Sequence, residues 1–197
     1  ALTLLFGGVA GLVIGIGLYT SRPGSLLSNR VMFNVLNVVI NFFRPIPFII
    51  FIAAVQPLSR LVIGTGIGNN ALIFALSLAA SFAIARIVEQ NLLTVSPGVI
   101  EAAKSMGAGP VRILRTVVIP EALGPLILGY TFVLVAIVDM TAVAGFIGGG
   151  GLGNFALVYG YRQFEPAVTW AAVLLIVVFV QAVQFLGNWL ARRVLRR

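Results

Sequence analysis

Apolar side chains dominate this chain of 197 residues: 60% of the residues are hydrophobic, only 9% are charged, and the formal net charge is +8. A soluble domain carries roughly a quarter charged residues, and a globule of this length still needs a polar surface. The composition therefore excludes an ordinary water-soluble domain and predicts that lipid surrounds most of the chain.

Several classes of chemistry are excluded as well. The sequence has no Cys and no His, so it offers no disulfide, no thiolate nucleophile, no imidazole base and no ordinary zinc or haem site. Its acidic residues are scattered and suggest no carboxylate pair; they are Glu89, Glu101, Glu121, Asp139 and Glu165. We expect no catalytic residue, no metal and no cofactor. The basic residues do not alternate with aromatics along one stripe, so no nucleic-acid partner is expected.

Long apolar runs predict an all-α, polytopic membrane protein. A spanning helix needs about 20 apolar residues, and these runs lack the alternation of barrel strands. The predicted spans are residues 1 to 19, 34 to 59, 69 to 88, 121 to 147 and 168 to 191. We expect a single membrane domain over 1–197 whose N-terminal sequence is truncated. A signal peptide is disfavoured, because no basic region precedes the first run and no small-residue cleavage site closes it.

Two local patterns stand out in the first two spans. Gly7, Gly11 and Gly15 recur every four residues, a spacing that lets two helices approach closely. Pro45 and Pro47 break the second span near one end. The break is either a hinge or a fixed kink.

The basic residues predict the orientation of the spans. The connection at 20–44, the connection at 86–119 and the tail after 191 contain 11 of the 13 Lys and Arg residues, and the alternate connections contain only Arg60 and Arg162. Cytoplasmic loops carry such an excess. We therefore expect the N-terminus outside, and the C-terminus and the 86–119 connection in the cytoplasm.

A polar segment after the third span reads "IEAAKSMGAGPVRILRTVVIPEAL" (100–123). Ser96 can cap a helix there and Pro97 can begin it, because proline loses no needed hydrogen bond in the first turn. Glu101 and Lys104 are three residues apart and can pair. Gly107 permits the left-handed backbone that ends a helix.

A second short helix is predicted after this bend. Pro110 restarts the helix, which runs until Pro120. The result is two short helices joined at a sharp turn. Ala102 and Ala103 add almost no bulk, so another protein could approach the backbone closely.

The spacing of this loop, at about 94–120, resembles the EAA loop of permeases in ATP-binding cassette importers. Glu101-Ala102-Ala103 is followed after three residues by Gly107 and then by Val117-x-Ile119-Pro120. The usual family ending is Ile-x-Leu-Pro, so the chain differs by two conservative apolar exchanges. In that family the loop docks as a coupling helix into a cleft on the ATPase subunit. The resemblance implies that the coupling residues are Glu101, Ala102, Ala103, Lys104, Gly107 and Ala108.

Longer stretches resemble the permeases of methionine importers in particular: "NFFRPIPFIIFIAAVQPLSRLVIGTGIG", "ARIVEQNLL" and "GGGGLGNFALVYGYRQF". The implied function is a permease subunit of the inner membrane that forms the pathway for ATP-driven uptake of an amino acid, in the first place methionine. Permeases for other amino acids, phosphonate and betaine share the EAA loop and are the alternatives.

The resemblance also implies partners. No GxxxxGK[ST] sequence is present, so ATP hydrolysis requires a separate ATPase subunit and the chain itself is not an enzyme. Such importers use two ATPase subunits, each with one docking cleft, so one loop per chain implies a homodimer. A substrate-binding protein on the outer side, the small-molecule substrate and membrane lipid complete the set of partners.

Asp139 is the acidic residue expected near the middle of the fourth span, where it costs roughly 2.5–3.5 kcal/mol. It either lines the pathway, with Met140 and Thr141, and contacts a substrate ammonium group, or it fixes helix packing through internal hydrogen bonds. A different reading makes Asp139 or Glu89 the proton carrier of an ion-driven secondary transporter. The absence of an internal repeat disfavours that reading. A membrane scaffold whose loop binds another protein, and a membrane enzyme, are the remaining alternatives.

Overall fold

The computed structural model describes residues 2–195, apart from the side chains of residues 144–146, and every regular element in that part of the chain is helical. The helices are α1 (Leu2–Ser21), α2 (Arg30–Phe43), α3 (Phe48–Ile63), α4 (Gly68–Leu92), α5 (Pro97–Ser105), α6 (Pro110–Ile113), α7 (Ile119–Glu121), α8 (Leu123–Thr141), α9 (Leu152–Phe155) and α10 (Pro166–Leu195). The predicted all-α class is confirmed.

Five spans are available in this arrangement. Helices α1, α4, α8 and α10 are each long and apolar enough to cross a membrane, and α2 with α3 forms a bent pair that can make a fifth span. The predicted break of the second span at Pro45 and Pro47 is confirmed, because α2 and α3 meet at 117° across residues 44–47. Pro45 and Pro47 lack the N–H groups that a continuous helix needs there.

Helices α1 and α4 form the tightest contact of the bundle. Gly7, Gly11 and Gly15 are all buried against α4. A Cβ atom added at Gly11 would lie 2.6 Å from the Cβ of Ile84, and one added at Gly15 would lie 2.6 Å from the carbonyl oxygen of Ala85. The predicted close packing is confirmed, and it requires glycine because the two backbones leave no room for a side chain.

The main buried cluster surrounds the second half of α4. It joins α1, α4 and α8 to the connection between the third and fourth spans and comprises Tyr19, Ala80, Ile84, Val88, Leu92, Val95, Ala103, Ile113, Val118, Ala122, Leu126, Val133 and Ile137. The connection is therefore anchored in the core on its inner side. Helix α10 differs, because only Ala172, Gly187 and Ala191 of its residues are buried. Its remaining surface is available to lipid or to another chain.

Replacing Gly11 with leucine should separate α1 from α4. Overpacking of a core typically costs about 1–3 kcal/mol, and we expect the upper part of this range because the clash involves backbone atoms. The matched control is Ala10→Leu on the exposed side of the same helix turn, where a substitution changes stability by less than about 0.5 kcal/mol. Thermal unfolding of the solubilised chain measures both. Equal melting temperatures for the two variants would contradict the close contact.

Candidate functional site

Helix α5 begins the polar connection between the third and fourth spans. Pro97 occupies its first turn, as predicted, but the side chain of Ser96 makes no capping hydrogen bond, so the predicted Ser96 cap is wrong. The N–H of Val99 donates instead to the Ser96 carbonyl oxygen at 3.2 Å. The proposed Glu101–Lys104 pair is also not formed, because both ion pairs within residues 2–195 involve Glu89.

The end of α5 is a sharp bend at Gly107, whose φ is +78°. The N–H of Gly107 donates to the Lys104 carbonyl oxygen at 2.9 Å, and the N–H of Ala108 donates to the Ala103 carbonyl oxygen at 3.1 Å. These two bonds form the Schellman motif, which satisfies carbonyl groups left over at a helix end. The predicted bend is confirmed. Glycine is favoured there because a left-handed conformation costs other residues roughly 1–2 kcal/mol.

Helices α5 and α6 with the Gly107 bend between them (residues 97–113) form what we call the elbow. The residues predicted for coupling divide by exposure: Glu101, Ala102, Lys104 and Gly107 are exposed, Ala103 is buried and Ala108 is half-buried. The sequence predicts that another protein could approach both Ala102 and Ala103. For Ala103 this prediction is wrong, because its side chain is buried. The small side chain of Ala103 packs into the core. The side chain of Ala102 lies on the exposed face of the elbow and adds little bulk there.

The second arm of the elbow runs directly into the fourth span. Pro110 begins α6 as predicted, but the predicted stop at Pro120 is wrong. The chain forms a π-helical turn over Leu114–Val118, in which the N–H of Ile119 donates to the Leu114 carbonyl oxygen. After this wider turn the helix continues through Pro120, although Pro120 has no backbone N–H to donate. Only the turn at Ala122 separates α7 from α8, so the elbow and α8 are nearly continuous.

A polar network around the buried side chain of Glu89, which we call the polar hub, lies at the end of α4 that leads to the elbow. Arg86 Nη1 is 2.5 Å from Glu89 Oε2, and Arg22 Nη1 is 3.5 Å from Glu89 Oε1. Arg86 Nη2 donates to the Oδ1 atoms of Asn37 and Asn41, each at 2.7 Å. The hub joins the ends of α1, α2 and α4. Sequence reasoning missed it, although the helical spacing of Asn37 and Asn41 within an apolar run was an available signal.

A cavity of about 290 Å³ separates the hub from the elbow. Tyr19 and Arg22 line it from the end of α1, and Ile100, Glu101 and Lys104 line it from α5. Glu101 and Lys104 therefore border an open space between the elbow and the end of α1.

The three residues predicted for the pathway do not form one cluster. Asp139 is exposed and lies in the last turn of α8, so its predicted place in the middle of a span is wrong, because the α-helix ends at Thr141. Met140 packs against the buried cluster around Ile52. The hydroxyl of Thr141 donates to the Val138 carbonyl oxygen at 2.6 Å. Asp139 alone presents a polar side chain to the surroundings.

The two glycine-rich stretches at 64–69 and 148–153 meet at the other end of α4. The N–H of Gly150 donates to Asn69 Oδ1 at 2.8 Å. This bond joins the start of α4 to the segment that follows α8. The two ends of the bundle are thus different, with a charged elbow at one and a glycine-rich contact at the other.

Comparison with known proteins identifies the family. Residues 9–196 match the family described as "Binding-protein-dependent transport system inner membrane component". The chain belongs to this family. It is accordingly a multi-pass inner-membrane protein, and its predicted resemblance to importer permeases is confirmed.

Individual family members are similar over most of their length. A probable D-methionine transport system permease protein MetI of Vibrio cholerae is 39% identical over 184 residues, which are 93% of this chain and 82% of that protein. A methionine import system permease protein MetP of Bacillus subtilis is 42% identical over 171 residues, 87% of this chain and 77% of that protein. A crystal structure of the MetNI methionine ABC transporter in an inward-facing conformation has a chain that matches with a TM-score of 0.93 and 39% identity, over 98% of this chain and 89% of that one.

Proposed function

We propose that this chain is the permease subunit of an ATP-driven importer that takes up methionine. Two observations support the substrate: the relatives named for methionine transport align with this chain over most of their length, and the MetNI permease chain has nearly the same fold. The chain itself is non-catalytic, and ATP is hydrolysed by a partner subunit. Two copies of the chain and two ATPase subunits make up the transporter.

The exposed elbow is the observation that carries this proposal. Its inner side is fixed in the core by Ala103 and Ile113. Its outer side presents Glu101, Ala102 and Lys104. A bent surface of this kind, with only a methyl group at Ala102, suits docking into a cleft of an ATPase. The arms continue into α4 and α8, so movement of the ATPase would reach two spans at once.

The proposed orientation follows from the basic residues. The elbow and the end of α10 lie in the cytoplasm with the ATPase, and the N-terminus lies outside. The glycine-rich contact between Asn69 and Gly150 then faces the outer side, where a substrate-binding protein delivers methionine. ATP draws the two ATPases together, the elbows follow, and the spans open outward. Release of the nucleotide products reverses the movement.

Uptake into vesicles tests the proposed function. Vesicles that contain this chain, its ATPase and its binding protein should accumulate labelled methionine only when ATP is supplied on the ATPase side. An excess of unlabelled methionine should abolish uptake, whereas other amino acids should compete weakly. ATP-dependent uptake of a different solute would redirect the proposal to that solute, and uptake driven by an ion gradient without ATP would contradict it.

Cross-linking tests the docking role of the elbow. A photoreactive thiol reagent attached to Ala102→Cys should capture the ATPase, because this position is on the exposed face. The matched control is Ala103→Cys, which is 3% exposed and should capture little. The chain contains no natural Cys, so each variant has a single attachment site. Capture of no ATPase from Ala102→Cys, or equal capture from both, would contradict the proposed docking face.

Asp139 is proposed to line the substrate pathway, because it is the exposed one of the three residues considered. Exposed ion pairs contribute about 0.2–1 kcal/mol, so loss of a contact with the substrate ammonium group should raise the KM for uptake by up to about fivefold. Asp139→Asn keeps the shape of the side chain and removes its charge. A KM equal to that of the wild type would favour a packing role for Asp139.

A further inference from the structure

The polar hub at the end of α4 has a role beyond the docking of the elbow. We propose that Arg86, Glu89 and Asn37 are positioning residues that transmit movement of the elbow to α2, and through it to the bent pair of α2 and α3. This inference rests on the proposed function, because it requires that an ATPase moves the elbow.

The hub resists separation of the helices that it joins. Glu89 is 2% exposed, and the side chain of Arg86 is 14% exposed. Both residues belong to α4, so their ion pair holds the guanidinium group in place on that helix and does not itself join two helices. The hydrogen bonds from a charged guanidinium group to Asn37 and Asn41 are of the stronger, charge-assisted kind. The ends of α2 and α4 should therefore move as one unit.

Helix α2 packs against α1 and α4 with little buried surface of its own. Ile40 is its one buried residue, and its apolar side chains are largely exposed. Phe43 stacks on Phe82 of α4 at 5.1 Å between ring centroids. In the described part of the chain, the side-chain hydrogen bonds between α2 and α4 are the two that Arg86 donates to Asn37 and Asn41.

The hub is also close to the elbow along the chain. Residues 93–96 alone separate the end of α4 from the start of α5. Between the hub and this link, Asn91 Nδ2 donates to the Pro125 carbonyl oxygen at 3.1 Å and so joins α4 to the start of α8. A displacement of α5 therefore reaches Glu89 first, then Arg86, and then α2.

Paired substitutions at one position isolate the hub. The substitution Asn37→Leu introduces a side chain of similar size but removes the oxygen that accepts the hydrogen bond from Arg86. The substitution Asn37→Asp keeps an oxygen at that position. Asn34→Leu is the matched control, because Asn34 is an exposed residue of the same helix outside the hub. If Asn37→Leu fails to assemble, Asn41→Leu replaces it, since that variant removes only the outer acceptor.

Distances between spin labels across the homodimer measure the transmission in the assembled transporter. One label at Arg112→Cys reports the separation of the two elbows, and one at Val35→Cys reports the separation of the two α2 helices. A non-hydrolysable ATP analogue should change both distances in the wild type, in Asn34→Leu and in Asn37→Asp. In Asn37→Leu the elbow distance should still change, and the change at α2 should fall to less than half.

Equal changes at α2 in Asn37→Leu and in the wild type would overturn the role of the hub. So would a wild-type elbow that moves while α2 does not. A wild-type elbow that does not respond to the nucleotide would reject the proposed docking itself, and the role of the hub with it.

Discussion

The close contact between α1 and α4 is the constraint on which the other contacts of the bundle depend. Lipid offers no hydrophobic driving force between helices, so close packing of small residues stabilises the pair. Gly11 and Gly15 bring α1 so near that the ends of α1 and α4 lie side by side. This proximity is what allows Arg22 to reach Glu89, and it places the buried cluster against which the elbow packs.

The elbow combines a fixed inner face with an exposed outer face. The Schellman motif at Gly107 satisfies its backbone without help from another chain, and Ala103 anchors it from within. The π-helical turn then carries the chain past Pro120 into α8. Because α4 and α8 continue from the two arms, a small rigid surface is connected to two spanning helices. That connection is the physical basis of the proposed coupling.

Much of this architecture could be predicted from the sequence, because lipid imposes helices and their approximate length. The bend at Gly107 and the glycine contact of α1 follow from local backbone chemistry. The errors have a common cause in tertiary context. The helical path continues through Pro120 after the π-helical turn, the carbonyl oxygen of Ser96 rather than its side chain accepts a bond at the start of α5, and Ala103 packs into the core. The hub was not predicted because Asn37 and Arg86 are far apart in sequence and meet only when α2 folds onto α4.

The central claim is that the elbow projects from the membrane on the cytoplasmic side. Labelling of Met106→Cys with a membrane-impermeant maleimide tests it directly, since Met106 is 80% exposed at the bend. Inside-out vesicles that contain the chain without its ATPase expose the cytoplasmic face and should be labelled rapidly, and right-side-out vesicles should be labelled only after they are made permeable. Rapid labelling of intact right-side-out vesicles, or no labelling in either orientation, would contradict the account.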